Sequence, residues 1–192
     1  MAHRESRMLP LDTAAPRFAL PDTASGRSVA LEDYTAAPAL LVAFICNHCP
    51  YVKHILGGFV DFAGEFGPRG LAVVAISAND VAAYPADAPA EMGRLARLRA
   101  FTFPYLYDES QQVAKAYQAV CTPDFFLFDR ERRLVYRGQF DGSRPGNRVA
   151  VTGADLRAAV EALLRGRPVP PEQTPSVGCS LKWKPGEQPD WA

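Results

Sequence analysis

The chain has 192 residues, 48% apolar and 22% charged, which suffices for one domain with a substantial core. Twenty-one basic residues balance 21 acidic ones, so no net field attracts nucleic acid or an anionic membrane. No run approaches the ~18 apolar residues of a membrane span, and the polar opening Met1 to Pro16 lacks a signal peptide's apolar core. A cytoplasmic location is expected, where a Cys-x-x-Cys more often serves catalysis or metal binding than a structural disulfide.

In chain order, Arg17–Leu20 and Arg27–Ala30 flank a turn-rich segment and predict a short N-terminal hairpin. Leu40–Ile45 is continuously apolar, as a central strand covered on both faces requires. Val52, Ile55, Phe59, Phe62 and Phe66 then recur at three- and four-residue spacing and predict a long amphipathic helix. Pro50 is tolerable in its first turn, and Gly57-Gly58 predicts a kink or a close backbone contact.

Leu71–Ser77 reads as a second buried strand. Ala78–Ala90 reads as a loop-like insert with two prolines, followed by a helix over Glu91–Ala100. Gln111–Tyr117 suggests a shorter helix, and Phe125–Phe128 with Leu134–Gln139 an antiparallel hairpin about the charged turn Arg130 to Arg133. Thr152 with Asp155 resembles a capping box ahead of a last helix that Gly166 ends. The order is βαβ, then a hairpin and a terminal helix, which gives an α/β fold of thioredoxin-like layout. A mixed central β-sheet is flanked by helices, with an extra N-terminal hairpin, an insert and a C-terminal tail. The domain is expected to span residues 10–166, with a proline-rich tail, 167–192, lying over the surface or mobile.

The chemistry is concentrated in Cys46-Asn47-His48-Cys49, between a buried strand and a helix. Thiol-disulfide exchange needs an attacking thiolate, a resolving thiol and a proton route. Cys46, at the helix start, is the expected nucleophile, its pKa lowered by the helix N-terminus, and Cys49 the resolving thiol. Lys53, four residues after Cys49 and seven after Cys46, is either a proton shuttle or a surface lysine. His54 reads as structural.

Ala15-Pro16-Arg17-Phe18-Ala19-Leu20-Pro21-Asp22 is similar to the opening of redoxin-type (AhpC/TSA) thioredoxin-like proteins. Phe44-Ile45-Cys46-Asn47-His48-Cys49-Pro50-Tyr51, Cys121-Thr122-Pro123-Asp124-Phe125-Phe126 and Gly178 to Lys184 resemble a cytosolic bacterial branch of that family. The resemblance implies a cis-Pro123 beside the sulfurs, with the Thr122 backbone exposed to pair with a substrate peptide as an added strand. His48 resembles the histidine of oxidising relatives; an imidazolium beside Cys46 would place the potential above thioredoxin's ~−270 mV.

Two positions depart from relatives. Peroxiredoxins carry Pro-x-x-x-Thr-x-x-Cys, and here Ala39 and Ala43 replace the proline and the hydroxyl. Leu40 stands where thioredoxins have a buried Asp, so the proton carrier lies elsewhere. The expected function is thiol-disulfide oxidoreduction on protein or small-molecule disulfides, supplied by an electron donor the sequence does not identify. No cofactor or metal is implied. A Cys46 thiol peroxidase is the alternative, and a zinc site built from the cysteines or a redox-inert module are lesser ones. Cys121 and Cys179 form a candidate second disulfide, pinning the tail or relaying electrons.

Overall fold

The computed structural model describes residues 3–192. Its first half comprises β1 (His3–Glu5), β2 (Ala19–Pro21), β3 (Ser28–Ala30), β4 (Ala39–Phe44), α1 (Pro50–Phe66) and β5 (Leu71–Ser77). There follow α2 (Pro89–Leu98), β6 (Tyr105–Tyr107), α3 (Gln112–Ala116), β7 (Cys121–Thr122), β8 (Asp124–Phe128) and β9 (Leu134–Gly138). The chain closes with α4 (Ala154–Leu164) and β10 (Val177–Ser180).

Five strands form the central sheet in the order β6-β5-β4-β8-β9. β4, β5 and β6 run parallel, whereas β8 and β9 are antiparallel additions. The central position of β4 explains its composition, since both of its faces are covered. Leu41 and Ala43 meet the aromatic face of α1, while Leu40, Val42 and Phe44 meet Tyr117, Phe126 and Leu106 on the other side. Burying such side chains is worth about 1.5–3 kcal/mol each. That makes β4 a rigid base for the residues that leave its end. β2 and β3 pair as the expected N-terminal hairpin.

α1 begins at Pro50, whose missing N–H is one the first turn leaves unbonded in any case. It runs unbroken through both glycines. Gly58 provides the close contact, because a Cβ there would lie 2.9 Å from Val151 Cγ1, whereas Gly57 faces open space. β6 had no counterpart in the sequence reading; its three residues follow Pro104 and are too few to display a period.

The capping box at α4 does not form. Gly153 is the N-cap at φ 68°, and the carboxylate of Asp141 accepts the Thr152 and Gly153 N–H groups at 2.7 and 2.6 Å. Gly166, at φ 65°, ends the helix as expected.

The largest difference concerns the tail. Val177–Ser180 is the middle strand of a second sheet, β1-β10-β7, with Cys179 opposite Thr122 and Ser180 opposite Cys121. Ser176, Cys179 and Leu181 are buried. Gly178 packs so tightly that a Cβ would lie 2.0 Å from the Thr122 carbonyl oxygen.

Candidate active site

Beyond Phe44 the chain continues in line for one residue, held by the Ile45 N–H to the Ile76 carbonyl at 3.0 Å. It then loops through Cys46, Asn47 and His48, and the helix starts only after Cys49. Cys49 is the N-cap, with extended backbone at φ −63° and ψ 124°. The unbonded N–H groups of α1 therefore face Cys49 and not Cys46, which corrects the expectation of a helix-stabilised Cys46. Both sulfurs are buried, the two residues being 1% and 0% exposed.

The Thr122–Pro123 peptide is cis, as the resemblance implied. Thr122 forms the opposite wall. Its Oγ1 lies 3.3 Å from Cys46 Sγ, and its carbonyl oxygen can accept the Cys49 S–H at 3.2 Å. The backbone edge of Thr122, expected to be open to a substrate strand, is taken by β10.

Cys46 and Cys49 are hydrogen-bonded to each other and share a proton unequally. Cys46 is pushed well above the ordinary thiol range because it donates to Cys49, with burial and the nearby Asp87 charge adding to the effect. Cys49 is pulled below that range by accepting from Cys46. Burial opposes this, while the Val52 N–H, Cys179 and Thr122 reinforce it. The reduced pair thus places its negative charge on Cys49, as the N-cap position dictates.

The insert between β5 and α2 supplies a residue that the sequence reading missed. Asp87 is fully buried and accepts four hydrogen bonds: from the Asn47 and His48 N–H groups at 2.8 and 3.1 Å, from Asn79 Nδ2 at 2.8 Å, and from His48 Nδ1 at 2.6 Å. It fixes both the loop and the imidazole. His48 also stacks on Tyr84, with ring centroids 4.9 Å apart, and its Nδ1 lies 3.8 Å from Cys46 Sγ. The one signal available was the contrast between a missing thioredoxin-type Asp and an insert holding Asn79, Asp80 and Asp87 between two buried elements.

Cys46, His48 and Asp87 present three ligand-type atoms within 4.8 Å of one another. Asp87 is already saturated, however, and His48 Nδ1 is committed to it. A metal ion would have to break the 2.6 Å bond that orients the ring.

Other expected residues are placed less centrally. Lys53 is exposed on α1, and no hydrogen bond joins its ammonium to either sulfur among the described residues. Cys121 is buried beneath the cis peptide, its thiol directed at the Pro123 carbonyl at 3.7 Å and raised well above its usual range by burial. Cys179 reaches the site from the tail, where it lies opposite Thr122 and is hydrogen-bonded to Cys49. Asp124, immediately after Pro123, is fully buried. Burial pushes its pKa far up, with the backbone N–H groups of Phe125 and Val120 opposing.

A sheet of this topology, with a Cys-x-x-Cys at the end of its central strand facing a cis-proline, defines the thioredoxin-like redox proteins. Residues 11–137 match the AhpC/TSA family, and the chain belongs to it. An uncharacterized conserved protein from Geobacillus kaustophilus is 53% identical in its crystal structure, with a TM-score of 0.95 over 97% of this chain and 98% of that one. A Mycobacterium tuberculosis (H37Rv) protein named "Putative peroxiredoxin Rv2521" is 31% identical over 116 residues, 60% of this chain and 68% of its own. The thioredoxin domain of a thiol-disulfide oxidoreductase from Bacteroides vulgatus shares the fold at 17% identity, with a TM-score of 0.59 over 78% of this chain and 96% of that one. No helix among the described residues is long and apolar enough to cross a membrane.

Proposed function

We propose that this redoxin is a thiol-disulfide oxidoreductase that cycles a Cys46–Cys49 dithiol against disulfide clients, recharged by an external thiol donor. The observation that carries the reading is the placing of both sulfurs against the cis Thr122–Pro123 peptide, Cys46 Sγ 3.3 Å from the Thr122 hydroxyl and Cys49 Sγ 3.2 Å from its carbonyl oxygen. Cys46 is the attacking sulfur, because Cys49 lies beneath the Thr122 carbonyl and β10.

In the first step Cys46 Sγ bonds to one client sulfur and passes its proton to Cys49, while the second client sulfur leaves as a thiolate. Charge that develops on Cys46 meets the hydroxyl of Thr122, beside the His48 ring whose Nδ1 is held by Asp87. In the second step Cys49 attacks Cys46 Sγ. The Cys46–Cys49 disulfide closes and the first client sulfur departs with the Cys49 proton. Lys53 has no part in this route. Clients approach over Asn47, where a cleft of about 230 Å³ is lined by Ala86, Leu95 and Leu98.

Trapping tests the reading. Cys49→Ser should accumulate a mixed disulfide between Cys46 and a model disulfide client, released by dithiothreitol. A variant that leaves Cys46 unmodified while the parent turns over would refute the assignment. The Thr122 hydroxyl, 3.3 Å from Cys46 Sγ, favours a second reading in which it replaces the upstream hydroxyl of peroxiredoxins. Consumption of hydrogen peroxide at the rate of disulfide turnover would select that reading.

A further inference from the structure

Cys179 lies on a strand that the central fold does not require, yet it is placed against the reacting sulfurs. Three independent contacts fix it there. Its register sets it opposite Thr122, the residue that walls both Cys46 and Cys49. Gly178 lets the strand close onto the Thr122 carbonyl, where any Cβ would collide. The Leu181 N–H donates to the Val120 carbonyl at 2.8 Å and anchors the far end of the strand. Cys49 is therefore in hydrogen-bond contact with two other cysteines, Cys46 on its own loop and Cys179 from the tail.

We propose that Cys179 is a second resolving thiol, which exchanges with the Cys46–Cys49 disulfide and fastens the tail across the cis-proline loop. The inference rests on the dithiol reading above. Cys179 Sγ attacks Cys49 Sγ; a Cys49–Cys179 bond forms, the Cys46–Cys49 bond breaks, and the electron pair goes to Cys46. The proton lost by Cys179 ends on Cys46. No electrons enter or leave, so no further oxidant or reductant is required.

The local charges favour this step only after oxidation. In the reduced site Cys179 is pushed up to about 12 by burial first and then by the bond to, and charge of, Cys49, with Lys182 opposing. When Cys49 enters a disulfide its charge disappears, while Lys182 remains. Cys179 thus gains nucleophilic character when there is a disulfide to attack. The product returns Cys46 as a thiol beside His48, ready for another client, and holds the oxidised equivalent on buried sulfurs under β10.

The test is non-reducing peptide mapping of the full chain after oxidation with glutathione disulfide, acid quench and alkylation. The parent chain should yield a Cys49–Cys179 linked peptide together with alkylated Cys46, beside the Cys46–Cys49 peptide. Cys179→Ser should yield only Cys46–Cys49. A parent chain that yields only Cys46–Cys49 with alkylated Cys179, or a Cys121–Cys179 peptide, would overturn the relay and leave the dithiol reading standing. Absence of Cys46–Cys49 from Cys179→Ser would overturn both.

Discussion

The unequal sharing of one proton between Cys46 and Cys49 predicts how the redox equilibrium depends on pH. Cys49 ionises at about 4 and Cys46 far above the ordinary thiol value of 9.0. Across the interval between, the reduced pair holds one proton, and forming the disulfide releases one rather than two. Glutathione keeps its thiol proton below its own pKa of about 8.5. Reduction of the disulfide by two glutathione molecules then liberates one proton. Its equilibrium constant rises about tenfold per pH unit, equivalent to ~1.4 kcal/mol or ~30 mV for a two-electron couple. From about pH 5.5 to about pH 7.5 the constant should rise roughly a hundredfold. The assay is equilibration in glutathione buffers at each pH, followed by acid quench, alkylation and mass measurement of the reduced fraction. A constant that stays flat over that interval would show both sulfurs protonated and refute the assignment of charge to Cys49. The signs also bear on stability. Cys49, depressed, contributes stability present above its unfolded value and lost as pH falls toward about 4. Cys46, raised, contributes stability that is full below its unfolded value and is lost only as pH climbs toward its folded pKa. Reduced protein should therefore be most stable near the upper end of this interval.

Other outcomes follow from single contacts. Asp87→Asn should cost about 1–3 kcal/mol in urea unfolding, because an amide cannot accept from all four donors that converge on the buried carboxylate. It should also shift the pH profile of Cys46 alkylation downward, since the Asp87 charge is gone; an unmoved profile would leave Asp87 a purely structural role. Gly178→Ala should destabilise by about 1–3 kcal/mol, as overpacking does, and accelerate hydrogen exchange at the Leu181 amide. Unchanged exchange there would contradict the tight seat of β10. Asp124→Asn should flatten stability above pH 4: the parent, whose folded carboxyl pKa is raised, is fully stabilised below the unfolded value and loses stability as pH rises. Parallel stability curves for parent and variant from pH 4 to pH 8 would refute this.

Elements with long apolar periods were legible in the sequence, because burial on both faces of β4 and on one face of α1 leaves few other compositions possible. The Cys-x-x-Cys was legible for another reason, as a short motif whose chemistry is local, whereas the cis-proline came only from the resemblance to redoxins. What escaped depends on contacts between distant segments. Asp87 reaches His48 across 39 residues, and the polar insert around it does not single it out from Asn79 and Asp80 as the buried acceptor. Cys179 meets Cys49 only because β10 takes its register from Thr122, and a proline-rich surrounding hides a four-residue strand. The start of α1 was read with Pro50 in its first turn, as found, but the helix field was assigned to Cys46 when the N-cap is Cys49.

The seating of β10 also changes where this protein can be cut. Gly166, which ends α4 in the left-handed region, is the natural place to end the domain when reading the sequence. A chain stopped there would keep the whole five-stranded sheet and its aromatic core, yet it would lose the cover over Thr122 and one of the three sulfurs gathered there. Such a truncation could fold, bind dyes and melt cooperatively while giving false kinetics for every step that runs through Cys49.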